Sequence, residues 1–329
     1  MENANGKMLK DFTDDFIKRA IEYKDRDYDE VIKELDEAIK KFPSDTLSLA
    51  LRGFYLGIVG NSNDEIRDYT EAIRLEPENV SLYSLRSIAY NDKEEYDKAL
   101  TDANEAIRLD PEGSEYYDSR ATARKGKKDY NGALEDYNKA IELDSSNGEA
   151  FCNRGDLFRK LGNLDAALKD FSRAIQLVPD DADNYFYRGM LYVEKEKWEA
   201  AISDFDDAIQ FDPDDVAYYF WRGMAYMREE KREAAISNFD KAIQLDPDFA
   251  EAYFFRGGVH MEEERWETAI GDFDKAIGID SAIADYFVCR SNAWYGIGNT
   301  KAAKADYKKA LKLNPDLEKS DKDLFWYKP

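Results

Sequence analysis

One alanine constrains this chain more than any other feature. It falls at 38, 72, 106, 140, 174, 208, 242, 276 and 310, always 34 residues after the last. Its neighbours travel with it. "EAIRLEP" (71–77), "EAIRLDP" (105–111), "RAIQLVP" (173–179), "DAIQFDP" (207–213), "KAIQLDP" (241–247) and "KALKLNP" (309–315) are variants of one phrase. "KAIELDS" (139–145) and "KAIGIDS" (275–281) end in serine, and "EAIKKFP" (37–43) is looser. A unit of this size cannot bury its apolar face alone, so neighbouring copies must stack.

Each unit is numbered so that its proline or serine is place 32. Small residues then recur at places 8, 20 and 27, and aromatic residues near 11 and 24. In the seventh unit these are Gly223, Ala235, Ala242, Tyr226 and Phe239, with Pro247 at place 32; in the sixth they are Gly189, Ala201, Ala208, Tyr192 and Phe205, with Pro213. Small residues let two helices approach closely, and the rings fill the space beside them. Proline lacks an N–H and suits a first helical turn, so the aspartate–proline pair ends one helix and begins the next.

The period and the pattern resemble the tetratricopeptide repeat (TPR), a helix–turn–helix of 34 residues. The resemblance implies an all-α fold, a right-handed superhelical solenoid. Nine repeats span 12–317, approximately 12–45, 46–79, 80–113, 114–147, 148–181, 182–215, 216–249, 250–283 and 284–317, between an N-terminal extension (1–11) and a C-terminal cap segment (318–329). The first repeat is one residue short in its leading helix, which predicts an irregular turn near Asp25. The second has Glu65 where alanine is expected, which predicts a looser joint. Leu324, Phe325 and Trp326 are expected to form a solvating cap helix.

Charge narrows the partners. The 329 residues carry 47 basic and 70 acidic side chains, a formal −23. That disfavours nucleic acid, whose binders need a cationic footprint, and anionic membrane surfaces, and leaves an apolar or basic protein segment as the expected partner. Cys152 and Cys289 are far apart and are expected to be reduced thiols. No apolar leader and no run of the ~18 apolar residues that a span needs is visible, so the expected location is cytoplasmic.

An arginine stands at place 7 of every repeat, counted in the shortened first one back from the alanine that follows it: Arg19, Arg52, Arg86, Arg120, Arg154, Arg188, Arg222, Arg256 and Arg290. A semi-buried charge needs a partner. Place 23 supplies an acid at the same period: Glu34, Asp68, Asp102, Asp136, Asp170, Asp204, Asp272 and Asp306, interrupted only by Asn238. The pairing predicts a structural ladder of arginine–carboxylate rungs, with Arg222 its weak one. Sequence leaves open whether each rung lies within a repeat or between neighbours. An arginine array for catching carboxylate or phosphate is the less favoured alternative.

In the family that the chain resembles, leading helices line a concave face, with places 2, 5, 9 and 12 looking inward and not needed for packing. Those places are mostly polar in repeats three to five, as at Ser84 and Asp118. They are aromatic and Met-rich in repeats six to eight: Phe186, Met190, Val193, Phe220, Met224, Met227, Phe254 and Met261, flanked by Tyr187, Trp221 and Phe255 at place 6. This stripe is the expected binding site, with Phe186, Phe220 and Phe254 as exposed anchors; ordinary packing between leading helices is the alternative.

The carboxylate clamp of some family members is not matched. Asn153 stands at place 6 of the fifth repeat, but Asp183 and Tyr187 occupy the places of the next lysine and arginine. The single histidine, His260, is at place 11, and no metal-ligand cluster or phosphate-cradling loop is visible, so neither catalysis nor a cofactor or metal is expected. The expected function is a protein- or peptide-binding scaffold or adaptor; the alternative is a holding chaperone for an apolar client segment.

Overall fold

The structure is a computed structural model and describes residues 4–24 and 26–319. Asp25, Leu324, Phe325 and Trp326 lie outside the described residues. Among the described residues there are eighteen α-helices and no strand. The chain divides into two compact units, Met1–Leu177 and Val178–Pro329. The first holds α1 (Ala4–Tyr23), α2 (Tyr28–Lys41), α3 (Thr46–Ile58), α4 (Ser62–Leu75), α5 (Val80–Asp92), α6 (Tyr96–Leu109), α7 (Ser114–Gly126), α8 (Tyr130–Leu143), α9 (Gly148–Lys160) and α10 (Leu164–Leu177). The second holds α11 (Ala182–Glu194), α12 (Trp198–Phe211), α13 (Val216–Arg228), α14 (Arg232–Leu245), α15 (Ala250–Glu262), α16 (Trp266–Ile279), α17 (Ala284–Gly296) and α18 (Thr300–Leu313), then a 3-10 turn, Pro315–Lys319.

From the second repeat on, each leading helix pairs with its follower, and within each unit the follower packs on the next leading helix. The close approach comes from place 8. A Cβ on Gly189 would lie 2.7 Å from the Phe205 ring, and one on Gly223 2.8 Å from Phe239. Those rings are fully buried, as are Tyr137, Phe171 and Phe273 at the same place 24. Burying such a ring contributes roughly 1.5–3 kcal/mol, repeated in almost every repeat.

The turns follow from local chemistry. Each leading helix from α3 on ends in a left-handed residue at place 15: Gly60, Gly162 and Gly298, and also Glu94, Lys128, Glu196, Glu230 and Glu264. The Glu230 N–H donates to the Met227 carbonyl (3.1 Å) and the Lys231 N–H to the Tyr226 carbonyl (2.9 Å), satisfying two end carbonyls of α13. Asn147 and Asp215 cap the next leading helices, accepting from the Ala150 (2.9 Å) and Ala217 (2.7 Å) N–H groups. Tyrosines at place 4 close the inter-repeat turn: the Tyr83 hydroxyl donates to the Pro77 carbonyl (3.0 Å) and the Tyr219 hydroxyl to that of Pro213 (3.1 Å).

Two repeats depart from the rule. Glu65 does not loosen its joint, for α3 and α4 pair like the others. Its carboxylate occupies the space that a Cβ on Gly57 would need, 2.7 Å from that position, so a missing side chain at place 12 makes room for the extra one at place 20. Burial, aided by Asp92, pushes its pKa up to about 7. In the first repeat Val31 and Leu35 hold the places that alanine and an aromatic ring take elsewhere, and both are buried. They share one cluster with Leu51 and Tyr55 of α3, and Phe16, Ala20 and Tyr23 of α1 pack against it. The backbone of α1 packs on α3 and α5.

Candidate functional site

The repeating arginine is held on three sides. Arg52 Nε and Nη2 donate to the two carboxylate oxygens of Asp68 (2.6 and 2.8 Å), while Nη1 donates to Asp36 (2.7 Å). The two-pronged bond to place 23 of the same repeat recurs from Arg86 to Asp102, Arg120 to Asp136, Arg154 to Asp170, Arg188 to Asp204, Arg256 to Asp272 and Arg290 to Asp306. The third prong reaches place 25 of the preceding repeat, at Thr70 (3.0 Å) from Arg86, Asn104 (2.9 Å) from Arg120 and Asp274 (2.6 Å) from Arg290. An aromatic ring at place 4 lies beneath the guanidinium, as Tyr117 does 5.4 Å from Arg120. Fork geometry, a stacked ring and low solvent access suit arginine and not lysine.

Arg222 replaces one prong. Its Nε donates to Asn238 Oδ1 (2.8 Å), and its charge is met by Asp206 (2.6 Å) from the preceding repeat. The sequence reading missed place 25, although Asp206, Asp240 and Asp274 share the period. The first repeat has no rung of this kind: Arg19 is exposed on α1, and Glu34 accepts from Arg26 (2.7 Å).

The leading-helix face corrects the sequence reading at place 5. Ala50, Ser84, Asp118, Phe220 and Val288 are buried, polar and apolar alike, so this place is not free of packing. Successive leading helices lie close, and place 5 of one meets place 3 or 6 of the next. The Phe186 ring is 5.1 Å from Tyr218, Phe220 is 5.6 Å from Phe255, and Phe254 is 5.0 Å from Tyr286. Each also rests on the place-24 ring of its own repeat, about 6 Å away, at Phe205, Phe239 and Phe273. Phe220 is therefore no exposed anchor; it is 8% exposed. Met261 is equally buried, while Phe186, Tyr187, Met190, Val193, Trp221, Met224, Met227, Phe254 and Phe255 are half-buried.

In the second unit a cavity of about 1060 Å³ opens beside Met261. Trp266, Tyr295, Tyr307 and Leu311 supply ring and aliphatic surface, and Glu262, Asn292, Lys304 and Lys308 supply polar groups. Tyr295, at place 12 of the ninth repeat, is 71% exposed, the most exposed large apolar side chain described. Tyr295 lies one repeat beyond the stripe expected from the sequence, and it continues the place-12 series of Val193, Met227 and Met261. His260 is buried, and burial holds its imidazole pKa below the usual value, so it is neutral at pH 7. Burial pushes the Cys289 thiol up to about 12, and Cys152 and Cys289 form no disulfide.

The polar repeats of the first unit bond among themselves. Asn153 Nδ2 donates to both oxygens of Asp118 (3.3 and 3.2 Å), and Lys125 and Arg159 converge on Asp156 (3.2 and 3.0 Å). Burial and the charge of Glu149 push the Asp118 carboxyl up to about 7.

These helix pairs and their ladder of turns define a helical-repeat protein. Models of the TPR repeat match residues 122–158, 155–195 and 189–230, and models of the tetratricopeptide repeat match 66–114, 222–282 and 295–317. The chain belongs to the tetratricopeptide repeat family. No curated protein matches it. Solved structures share the fold at low identity. The APC/C hetero-tetramer Cut9–Hcn1 superposes with a TM-score of 0.61 at 15% identity over 85% of this chain and 55% of that one. The human IFIT1 dimer with PPP-AAAA gives 0.58 at 16% over 86% and 78%, and the C-terminal part of a TPR protein from Cytophaga hutchinsonii 0.59 at 18% over 72% and 98%. No helix among the described residues is long and apolar enough to cross a membrane.

Proposed function

We infer that the chain is a non-catalytic scaffold that binds an apolar segment of a partner protein on the leading-helix face of its second unit. The cavity holding Tyr295 carries this reading: a wide, ring-lined recess with an aromatic side chain left to solvent is the form that ligand sites take. The half-buried Met190, Val193, Met224 and Met227 extend adaptable apolar surface along the preceding repeats. Lys304, Lys308 and Glu262 at the cavity can orient polar groups of a bound peptide.

Peptide-display selection against the purified chain, followed by titration of the enriched peptides, tests the reading. Tyr295→Ser is expected to weaken binding by about tenfold or more, or ~1.4 kcal/mol, with little change in stability. Phe220→Ser is expected instead to destabilise by about 3–5 kcal/mol, as a truncated core ring does. Peptides that bind Tyr295→Ser as tightly as the parent overturn the site. Sequence-indifferent suppression of aggregation would instead favour the holding-chaperone reading.

A further inference from the structure

The placement of α1 points to a second binding surface, separate from the one proposed above. The helix lies against α3 and α5, the leading helices of repeats two and three. Near its C-terminal end Tyr23 meets the Tyr55 ring at 6.0 Å, and the Tyr55 hydroxyl donates to the Ala20 carbonyl (3.0 Å). Further back, the Phe16 ring stands edge-on to Phe54 at 5.7 Å and 6.5 Å from Phe12. Earlier still, the Thr13 and Ser81 hydroxyls are hydrogen-bonded at 2.9 Å, which brings α1 to the start of α5.

The seat is shaped by residue size. Ala50 and Ser84 stand at place 5 of repeats two and three, where repeats six to eight carry phenylalanine. Small side chains there leave a trough, and Phe12 and Phe16 lie in it against the cluster of Leu49, Ala50, Leu82 and Ala89. The fit is incomplete in two ways. A cavity of about 140 Å³ remains beside Phe12 and Phe16, bounded by Ser81, Ser84 and Tyr116. On the outer side of α1, Ile17 and Ile21 are 51% and 62% exposed. The helix also lacks the close pairing with its follower that anchors every later leading helix.

We propose that the leading-helix face of repeats two to four is a receptor for an amphipathic helix with aromatic residues four apart, and that α1 is the occupant this chain carries for it. A partner helix with a larger ring at the Phe12 position fills the residual cavity and displaces α1. Recognition is by ridge and trough, with one hydroxyl pair fixing the register. Because α1 is joined to α2 by a few residues, it competes at high effective concentration, so the receptor is open only to a partner of better fit.

The probe is a fluorescein-labelled peptide of residues 4–24, alone and with Phe12→Trp. Phe12→Ser/Phe16→Ser in the full chain vacates the seat, and is expected to bind the native peptide at least tenfold more tightly than the parent chain does. The Phe12→Trp peptide is expected to bind the parent more tightly than the native peptide. Should the double variant fail to fold by circular dichroism, Thr13→Cys/Ser81→Cys decides, since the paired hydroxyls place these side chains within disulfide reach. Oxidised, it should bind neither peptide; reduction should restore binding. Equal binding by the oxidised and reduced forms, or no gain on vacating a folded chain, overturns the proposal. Light scattering that shows a dimer abolished by the disulfide would assign the seat to α1 of a second copy, and would also overturn it.

Discussion

A guanidinium held between two helices must be met by oxygens at most of its N–H groups, and the cost of removing it depends on what it leaves behind. Arg188→Leu strands the buried Asp204, whose pKa burial already raises. The expected loss is about 3–5 kcal/mol. The carboxyl can escape the cost only by taking a proton, so the loss should be larger at pH 8 than at pH 5. Arg222→Leu strands a neutral Asn238 and an exposed Asp206, and should lose clearly less. Urea unfolding of both variants at the two pH values checks this; equal losses would remove the ladder from the stability argument.

Glu65 makes a related prediction at the same scale. Its pKa in the folded chain is raised from 4.5 to about 7, so the folded state binds the proton more tightly than the unfolded one. Its contribution is fully present below pH 4.5 and is lost as pH rises through 7. With allowance for solvent around a half-exposed carboxyl, the change is on the order of 1–2 kcal/mol. Glu65→Gln should flatten that part of the pH–stability curve of the parent chain. A curve that keeps its slope would show that Asp118, also shifted to about 7, accounts for it.

At the scale of the element, the turn between paired helices is where sequence and geometry disagree. Place 15 is left-handed in all eight repeats from the second on, but only Gly60, Gly162 and Gly298 suit it. A side chain there costs more than glycine's extra freedom in the unfolded chain, so Glu196→Gly and Glu230→Gly should each stabilise by roughly 0.5–1 kcal/mol. Calorimetry of the double variant should show a higher melting temperature, and no rise would mean that the turn absorbs the strain elsewhere. The helix ends, turns and pairings were legible in the sequence because each depends on residues within one repeat. The run of α1 was not, because it depends on contacts with two other helices, α3 and α5, where the small Ala50 and Ser84 stand.

Across the whole molecule, a net charge of −23 opposes compaction. Salt screens repulsion between exposed like charges and acts weakly on half-buried ladder rungs, so raising ionic strength should raise the melting temperature. A fall between about 20 and 300 mM sodium chloride, on either side of a Debye length of ~10 Å, would mean that surface ion pairs outweigh the repulsion.

The sequence alone determined the repeat, the all-α class, the small-residue seams and the matching periods of the ladder arginine and its acid, since each recurs with the 34-residue unit; that the rungs lie within a repeat was decided by the structure. Tertiary structure alone decided which of the leading-helix places stay open. Phe220 and Asp118 differ in every chemical respect, yet both are buried, because the next leading helix brings Phe255 against one and Asn153 against the other, while Phe186 and Phe254 at the same place stay half-buried. Tyr295 stays 71% exposed in the ninth repeat, and α1 rests on α3 and α5, contacts that no single repeat contains. Exposure is a property of the gap between two repeats, and a period describes only one.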